Sequence, residues 1–170
     1  MCAFWCKKML EAGTVAPSFT LNDIDGKPHS LSDALKKGPV LAAFFKISCP
    51  ICQFTFPFIE RLFEKYGNAN VTIWGISQDD AADTKDFCKE FDVTFPVLPD
   101  ADGYPVSNDY RLTNVPSLFL IEPTGKISVS VTGFSKKDLE GISSEFATVS
   151  GQPASPLFKP SDIVPDYKPG

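Results

Sequence analysis

Three uninterrupted apolar segments of strand length constrain this chain more than any other feature: Val40–Phe45, Val71–Ile76 and Ser117–Ile121. A strand with one face in water alternates apolar and polar residues, whereas a continuous run marks a strand covered on both faces. The segments between them carry helical spacing. After Cys49, residues Ile59, Leu62, Phe63 and Tyr66 recur on one helical face up to Gly67, and Pro57 is expected to kink that helix because it removes a backbone donor. Asp79 to Phe91 reads as an acid-led helix with Phe87 and Phe91 on one side, and Ser135 to Val149 as a last helix. Pro123-Thr124-Gly125-Lys126 is a turn that returns the third strand as Ile127–Val131. Strands alternating with helices and ending in a hairpin imply an α/β domain with a mixed central sheet, covered by helices on both faces. Fifteen Phe supply an aromatic core for it.

The 170 residues suit one domain with appendages. Residues 1–13 read as a leader, helical over Cys2–Glu11. Residues 14–150 form the domain, opening with extended Ala16–Leu21, a turn at Asp25-Gly26 and a short capped helix from Ser30 to Leu35. Residues 151–170 form a tail in which Pro153, Pro156, Pro160, Pro165 and Pro169 exclude a helix or central strand. It is expected to lie extended on the surface or to be partly mobile, with Ile163, Val164 and Tyr167 placed to dock.

Sixteen Lys and Arg against 21 Asp and Glu leave a net charge of −5, with no basic cluster, so nucleic acid is not an expected partner. No apolar run approaches the roughly 20 residues of a membrane span. The charges Lys7-Lys8 follow the first apolar residues, the reverse of a signal peptide. The expected setting is cytoplasmic, with no membrane partner. Five cysteines cannot all pair within one chain, so they are expected to be reduced, catalytic or metal-binding.

Cys49-Pro50-Ile51-Cys52 comes directly after one buried strand and directly before a helix. A thiol there faces unpaired backbone N–H groups and the positive end of the helix dipole, which favour its thiolate, the form that attacks disulfides and peroxides. Cys49 is the expected nucleophile. Cys52, one turn further in, is the expected resolving thiol, and Pro50 suits the first helical position. Half a zinc site, with Cys2 and Cys6 as the other half, is the competing reading; core flanks on both sides disfavour it. Two inert core cysteines are the third. Lys46 is the nearest cation and a possible support for the thiolate.

Phe44-Phe45-Lys-Ile-Ser-Cys49-Pro-Ile-Cys52, Val115-Pro116-Ser-Leu-Phe-Leu-Ile121, the opening Ala16–Leu21 with Asp25-Gly26-Lys27, and Pro57 together resemble the thioredoxin-like redoxin family over residues 14–149. That family includes the TlpA- and ResA-like thiol–disulfide oxidoreductases and the AhpC/TSA peroxiredoxins. The resemblance implies a thioredoxin-like fold with an N-terminal hairpin extension. It implies a cis Val115-Pro116 bond facing the dithiol, and a substrate surface built from Val115, Pro50 and Ser48. It also implies exchange with protein or small-molecule disulfides, a thioredoxin- or reductase-type electron donor and no cofactor. Ser48 replaces the Trp of thioredoxins, which exposes the thiol. Thioredoxin's buried acid falls at Ala43, and the Glu of ResA-like proteins at Thr55.

A peroxiredoxin-like peroxidase is the alternative, but its P-x-x-x-T-x-x-C motif meets Ala42 and Lys46, and only Arg61 and Arg111 could hold a peroxide. A redox-inert binding domain is the non-enzyme alternative. His29 is expected at the surface, Cys88 and Trp74 in the core, and Trp5 as an anchor of the leader.

Overall fold

The computed structural model describes residues 8–67 and 70–170. A hairpin of β1 (Thr20–Asn22) and β2 (Pro28–Ser30) leads into a short helix, α1 (Leu31–Leu35). β3 (Val40–Phe45) hands over to the long helix α2 (Pro50–Tyr66), and β4 (Thr72–Ser77) to α3 (Ala81–Glu90). Next come β5 (Val97–Pro99), α4 (Pro105–Asp109), β6 (Ser117–Ile121) and β7 (Ile127–Thr132). The two-residue β8 (Phe134–Ser135), the helix α5 (Lys136–Val149) and the two-residue β9 (Tyr167–Lys168) complete the order.

The five-stranded central sheet runs β5-β4-β3-β6-β7. β3 lies at its centre, parallel to β4 and antiparallel to β6, and all six of its residues are buried. Leu41, Ala43 and Phe45 point to one face, where α2 supplies Phe56, Ile59 and Leu62, α3 supplies Phe87, and α5 supplies Leu139, Ile142 and Phe146. Val40, Ala42 and Phe44 point to the other, against Phe19, Leu31, Trp74, Val106 and Tyr110. Fully burying one Val, Leu or Phe side chain stabilises by about 1.5–3 kcal/mol, so a run with two buried faces has no room for polar residues. The fold is thioredoxin-like α/β, with a mixed sheet between helices and an N-terminal hairpin.

The α2 helix continues through Pro57, and Gly67 closes it in a right-handed conformation with φ −63°. Asp80 and Ser135 cap α3 and α5, each accepting the N–H of the residue three further on. Gly75 keeps β4 against its neighbours: a Cβ there would lie 3.2 Å from the rings of Phe45 and Phe95. β5 and α4 have no counterpart in the sequence reading.

Residues 8–11 are not helical. Leu10 is buried and hydrogen-bonded to Tyr110 O and Ser130 Oγ, so backbone pairing to the domain replaces the expected helix there. Cys2, Trp5 and Cys6 lie outside the described residues.

The tail lies extended and docks through more residues than the sequence reading named. Leu157 and Phe158 are buried, and the Phe158 ring packs against Phe58 at 4.8 Å and Phe134 at 5.9 Å. Arg61 grips Asp162 through both guanidinium nitrogens, at 2.6 and 3.0 Å. β9 pairs antiparallel with β8. Prolines exclude a helix, but an extended chain still docks its side chains. Val164 packs on the core and Tyr167 donates to Thr132 O, while Ile163 is 98% exposed and docks on nothing.

Candidate active site

Cys49 occupies the junction between β3 and α2. Its backbone is extended, φ −86° and ψ 114°, and it is the N-cap of α2, with Pro50 at the first helical position. A sulfur fills the place of the usual capping oxygen: Cys49 Sγ accepts the N–H of Cys52 at 3.1 Å. Negative charge on that sulfur is stabilised by this donor and by the positive end of the helix. The protonated thiol donates to Val115 O at 3.6 Å. The Val115–Pro116 bond is cis, and Pro116 is buried behind the half-buried Val115.

Cys52 sits one turn deeper and is 0% exposed. Burial pushes its thiol far above the ordinary range, and the hydrogen bond with the Cys49 sulfur pushes it the same way. The two sulfurs therefore differ in kind. One is reachable and capped by a helix N–H; the other is sealed in and holds its proton. One turn beyond, Thr55 is buried and donates to Ile51 O at 2.7 Å, so no carboxylate occupies that position to take the Cys52 proton.

The segment before Cys49 is clamped from two sides. Ile47 N donates to Asp79 Oδ2 at 2.8 Å, and Gln53 Nε2 donates to Ile47 O at 2.9 Å. Cys49 N donates to Lys46 O at 3.2 Å. Asp79 is itself fixed, its N–H donating to Ser77 Oγ at 3.0 Å. Gln53 and Asp79 escaped the sequence reading. Gln53 lies one helical turn after Cys49, which is a usable signal; Asp79 lies beyond a separate strand, and only the β3–β4 pairing brings it near.

Ser48 and Pro50 are exposed beside the thiol, as a contact surface requires. Lys46 contributes through its backbone: its side chain is exposed, and no ion pair joins it to the site among the described residues. A cavity of about 230 Å³ lined by Lys46, Gln78, Leu112, Thr113, Asn114 and Val115 opens alongside.

Arg61 is committed to Asp162 and lies twelve residues, about 18 Å of helix, beyond Cys49. Arg111 is exposed and makes no side-chain hydrogen bond to the site among the described residues. Neither side chain is hydrogen-bonded to Cys49 among the described residues. His29 is less exposed than expected: Nε2 lies 2.8 Å from Asp23 Oδ2 and its ring meets the edge of Trp74. Trp74 and Cys88 are core residues, and burial pushes the Cys88 thiol up to about 11.

The model of the AhpC/TSA family matches residues 12–130. The thiol-disulfide oxidoreductase ResA of Bacillus cereus is 32% identical over 137 residues, covering 79% of this chain and 78% of that protein. ResA of Bacillus subtilis is 33% identical over 128 residues, covering 75% and 70%. Among solved structures, the thioredoxin domain of a thiol-disulfide oxidoreductase from Bacteroides vulgatus aligns with a TM-score of 0.71 at 27% identity, covering 81% of this chain and 98% of that one.

Proposed function

The chain belongs to the AhpC/TSA family and is a thiol–disulfide oxidoreductase, and we propose that Cys49 and Cys52 are its reacting pair, with Cys49 attacking and Cys52 resolving. The observation that carries this is the helix-capping sulfur of Cys49, which accepts the Cys52 N–H, with the Cys52 thiol sealed behind it.

Cys49 loses its proton to solvent, and its thiolate attacks one sulfur of a substrate disulfide. A Cys49–substrate disulfide forms, and the other substrate sulfur leaves as a thiolate. Cys52 then gives up its proton and attacks the Cys49 sulfur. The Cys49–Cys52 disulfide forms, and the second substrate sulfur leaves. Two electrons have passed to the substrate, and its two thiolates take up two protons. Ser48, Pro50 and Val115 surround the attacking sulfur and form the surface on which the disulfide is presented.

The protein acts on disulfide-bearing substrates or redox partners. Its electron donor is a thioredoxin-type protein or reductase, and its setting is the reducing cytoplasm. The odd cysteine count favours that setting. The direction of electron flow follows the dithiol potential, where 30 mV corresponds to about 1.4 kcal/mol.

Insulin reduction by dithiothreitol tests the assignment. The native chain accelerates it, Cys49→Ser returns it to the uncatalysed rate, and Cys52→Ala accumulates a mixed disulfide visible as added mass. Equal rates for native protein and Cys49→Ser would overturn the assignment.

A further inference from the structure

The end of the tail lies on the same carbonyl that touches the nucleophile. Gly170 approaches Val115 so closely that a Cβ on it would fall 2.6 Å from Val115 O, and Asn114 Nδ2 donates to Gly170 O at 3.3 Å. Val115 O is the acceptor of the Cys49 thiol. Beside Gly170, Gly133 has φ +78°, and a Cβ there would lie 2.2 Å from Lys168 O and 2.9 Å from Gly170 N. Gly133 N donates to Pro116 O at 2.8 Å. Glycine is needed at 133 because the tail backbone rests on the turn that is bonded to the cis proline. Lys168 Nζ stands 4.4 Å over the ring of Phe54, two residues after Cys52.

The tail also binds in a recognisable mode. Lys168 pairs with Phe134 and Tyr167 with Ser135, antiparallel, and Lys136 N donates to Asp166 O at 2.9 Å. An extended peptide added as a strand to an exposed edge is a general way of capturing polypeptide substrates.

We propose that residues 166–170 are an occupant, within the chain, of the groove in which an extended polypeptide disulfide pairs beside Cys49. Protein substrates must displace the tail; small disulfides need not. This rests on Cys49 being the attacking sulfur. The two ends of the tail suit the role. Leu157, Phe158 and Asp162 anchor it, so the released end stays at high local concentration. The distal part pairs over two residues only, Tyr167 is half exposed, and Pro165 and Pro169 have no N–H to give. The cavity beside Val115 contains no tail residue in its lining, which leaves a small disulfide its own approach.

The test compares the native chain, Gly170→Val and a chain lacking residues 166–170. Each is assayed for kcat/KM on insulin and on oxidised glutathione, with thermal midpoints as a folding control. A Val Cβ at 170 collides with Val115 O and lifts the tail end without touching the core. The expected result is a roughly tenfold rise on insulin in both variants, the release of a groove occupied most of the time, with glutathione turnover unchanged. An insulin-to-glutathione ratio equal in all three proteins would overturn the proposal and leave the dithiol assignment standing. Glutathione turnover that persists in Cys49→Ser would overturn the dithiol assignment and the tail proposal with it.

Discussion

Cys52 should make the reduced protein sensitive to alkali, and the size of the effect follows from its burial. The ordinary thiol value is 9.0, and in the folded chain burial and the Cys49 sulfur hold the Cys52 proton far beyond it. Above pH 9 the unfolded chain has released that proton and the folded chain has not. The folded state then binds more protons, so stability falls as pH rises, by about 1.4 kcal/mol per pH unit for each such group. Cys88, raised by burial to about 11, adds the same slope between 9 and 11. Together the two thiols cost about 5 kcal/mol across that interval, a large part of the 5–15 kcal/mol that holds a typical domain. Below pH 9 both contributions are complete. Urea titrations from about pH 8 to about pH 11, with excess reductant, measure the slope. Cys52→Ala should flatten it by about 1.4 kcal/mol per unit, and oxidation to the Cys49–Cys52 disulfide should flatten it at least as much. Tyr110, whose proton burial also holds, is common to all three forms and cancels in the differences. Parallel pH profiles for the reduced native chain and Cys52→Ala would refute the reasoning, since a sealed, proton-holding Cys52 would then not exist.

Phe134→Ala removes a fully buried ring that meets Phe54, Phe58 and Phe158, and should cost about 3–5 kcal/mol in urea unfolding. Asp79→Ala strips the Ile47 N–H of its acceptor and should cost about 1–3 kcal/mol, with slower Cys49-dependent reduction of a small disulfide. Asp79→Asn keeps an acceptor and should restore most of both; equal behaviour of the two variants would refute the clamp. The Arg61 fork holds the Asp162 carboxyl down at about 2, against 3.8 when free. Its hold on the tail is complete above 3.8 and is lost as pH falls toward 2, so hydrogen exchange at Leu157 and Phe158 should quicken through that window. Arg61→Ala should quicken it at neutral pH.

The parts legible in the sequence are those whose cause is local. Val40–Phe45 and Ser117–Ile121 appear as strands at the expected residues, because a strand with two buried faces writes itself as an unbroken apolar run. Cys49 is read as the first turn of a helix because Pro50 and the spacing to Cys52 mark it. β5 is three residues ending in proline, and α4 is five residues entered through Tyr104 at φ 54°, so neither has a period long enough to detect. The tail is legible in its docking at Val164 and Tyr167 but not in the anchors Leu157, Phe158 and Asp162. Its proline content describes what it cannot form, while its docking depends on partners such as Arg61 that are 101 residues away from Asp162. The Asp79 clamp is hidden for the same reason.

Under the proposed assignment, the order of events at the dithiol follows from exposure. A substrate disulfide can meet only Cys49, because Cys52 is sealed beneath the first turn of α2. Once Cys49 carries the substrate, its own sulfur is the one closest to Cys52 and is the one attacked, and the substrate sulfur leaves as a thiolate. The attack is within the molecule, where correct placement stands in for a very high concentration of thiol. The proton Cys52 holds so firmly is then the brake on resolution. A protein with this arrangement should release substrate faster as pH rises toward the range in which its reduced form loses stability. The same burial that keeps Cys52 from attacking too early thus limits how alkaline the working range can be.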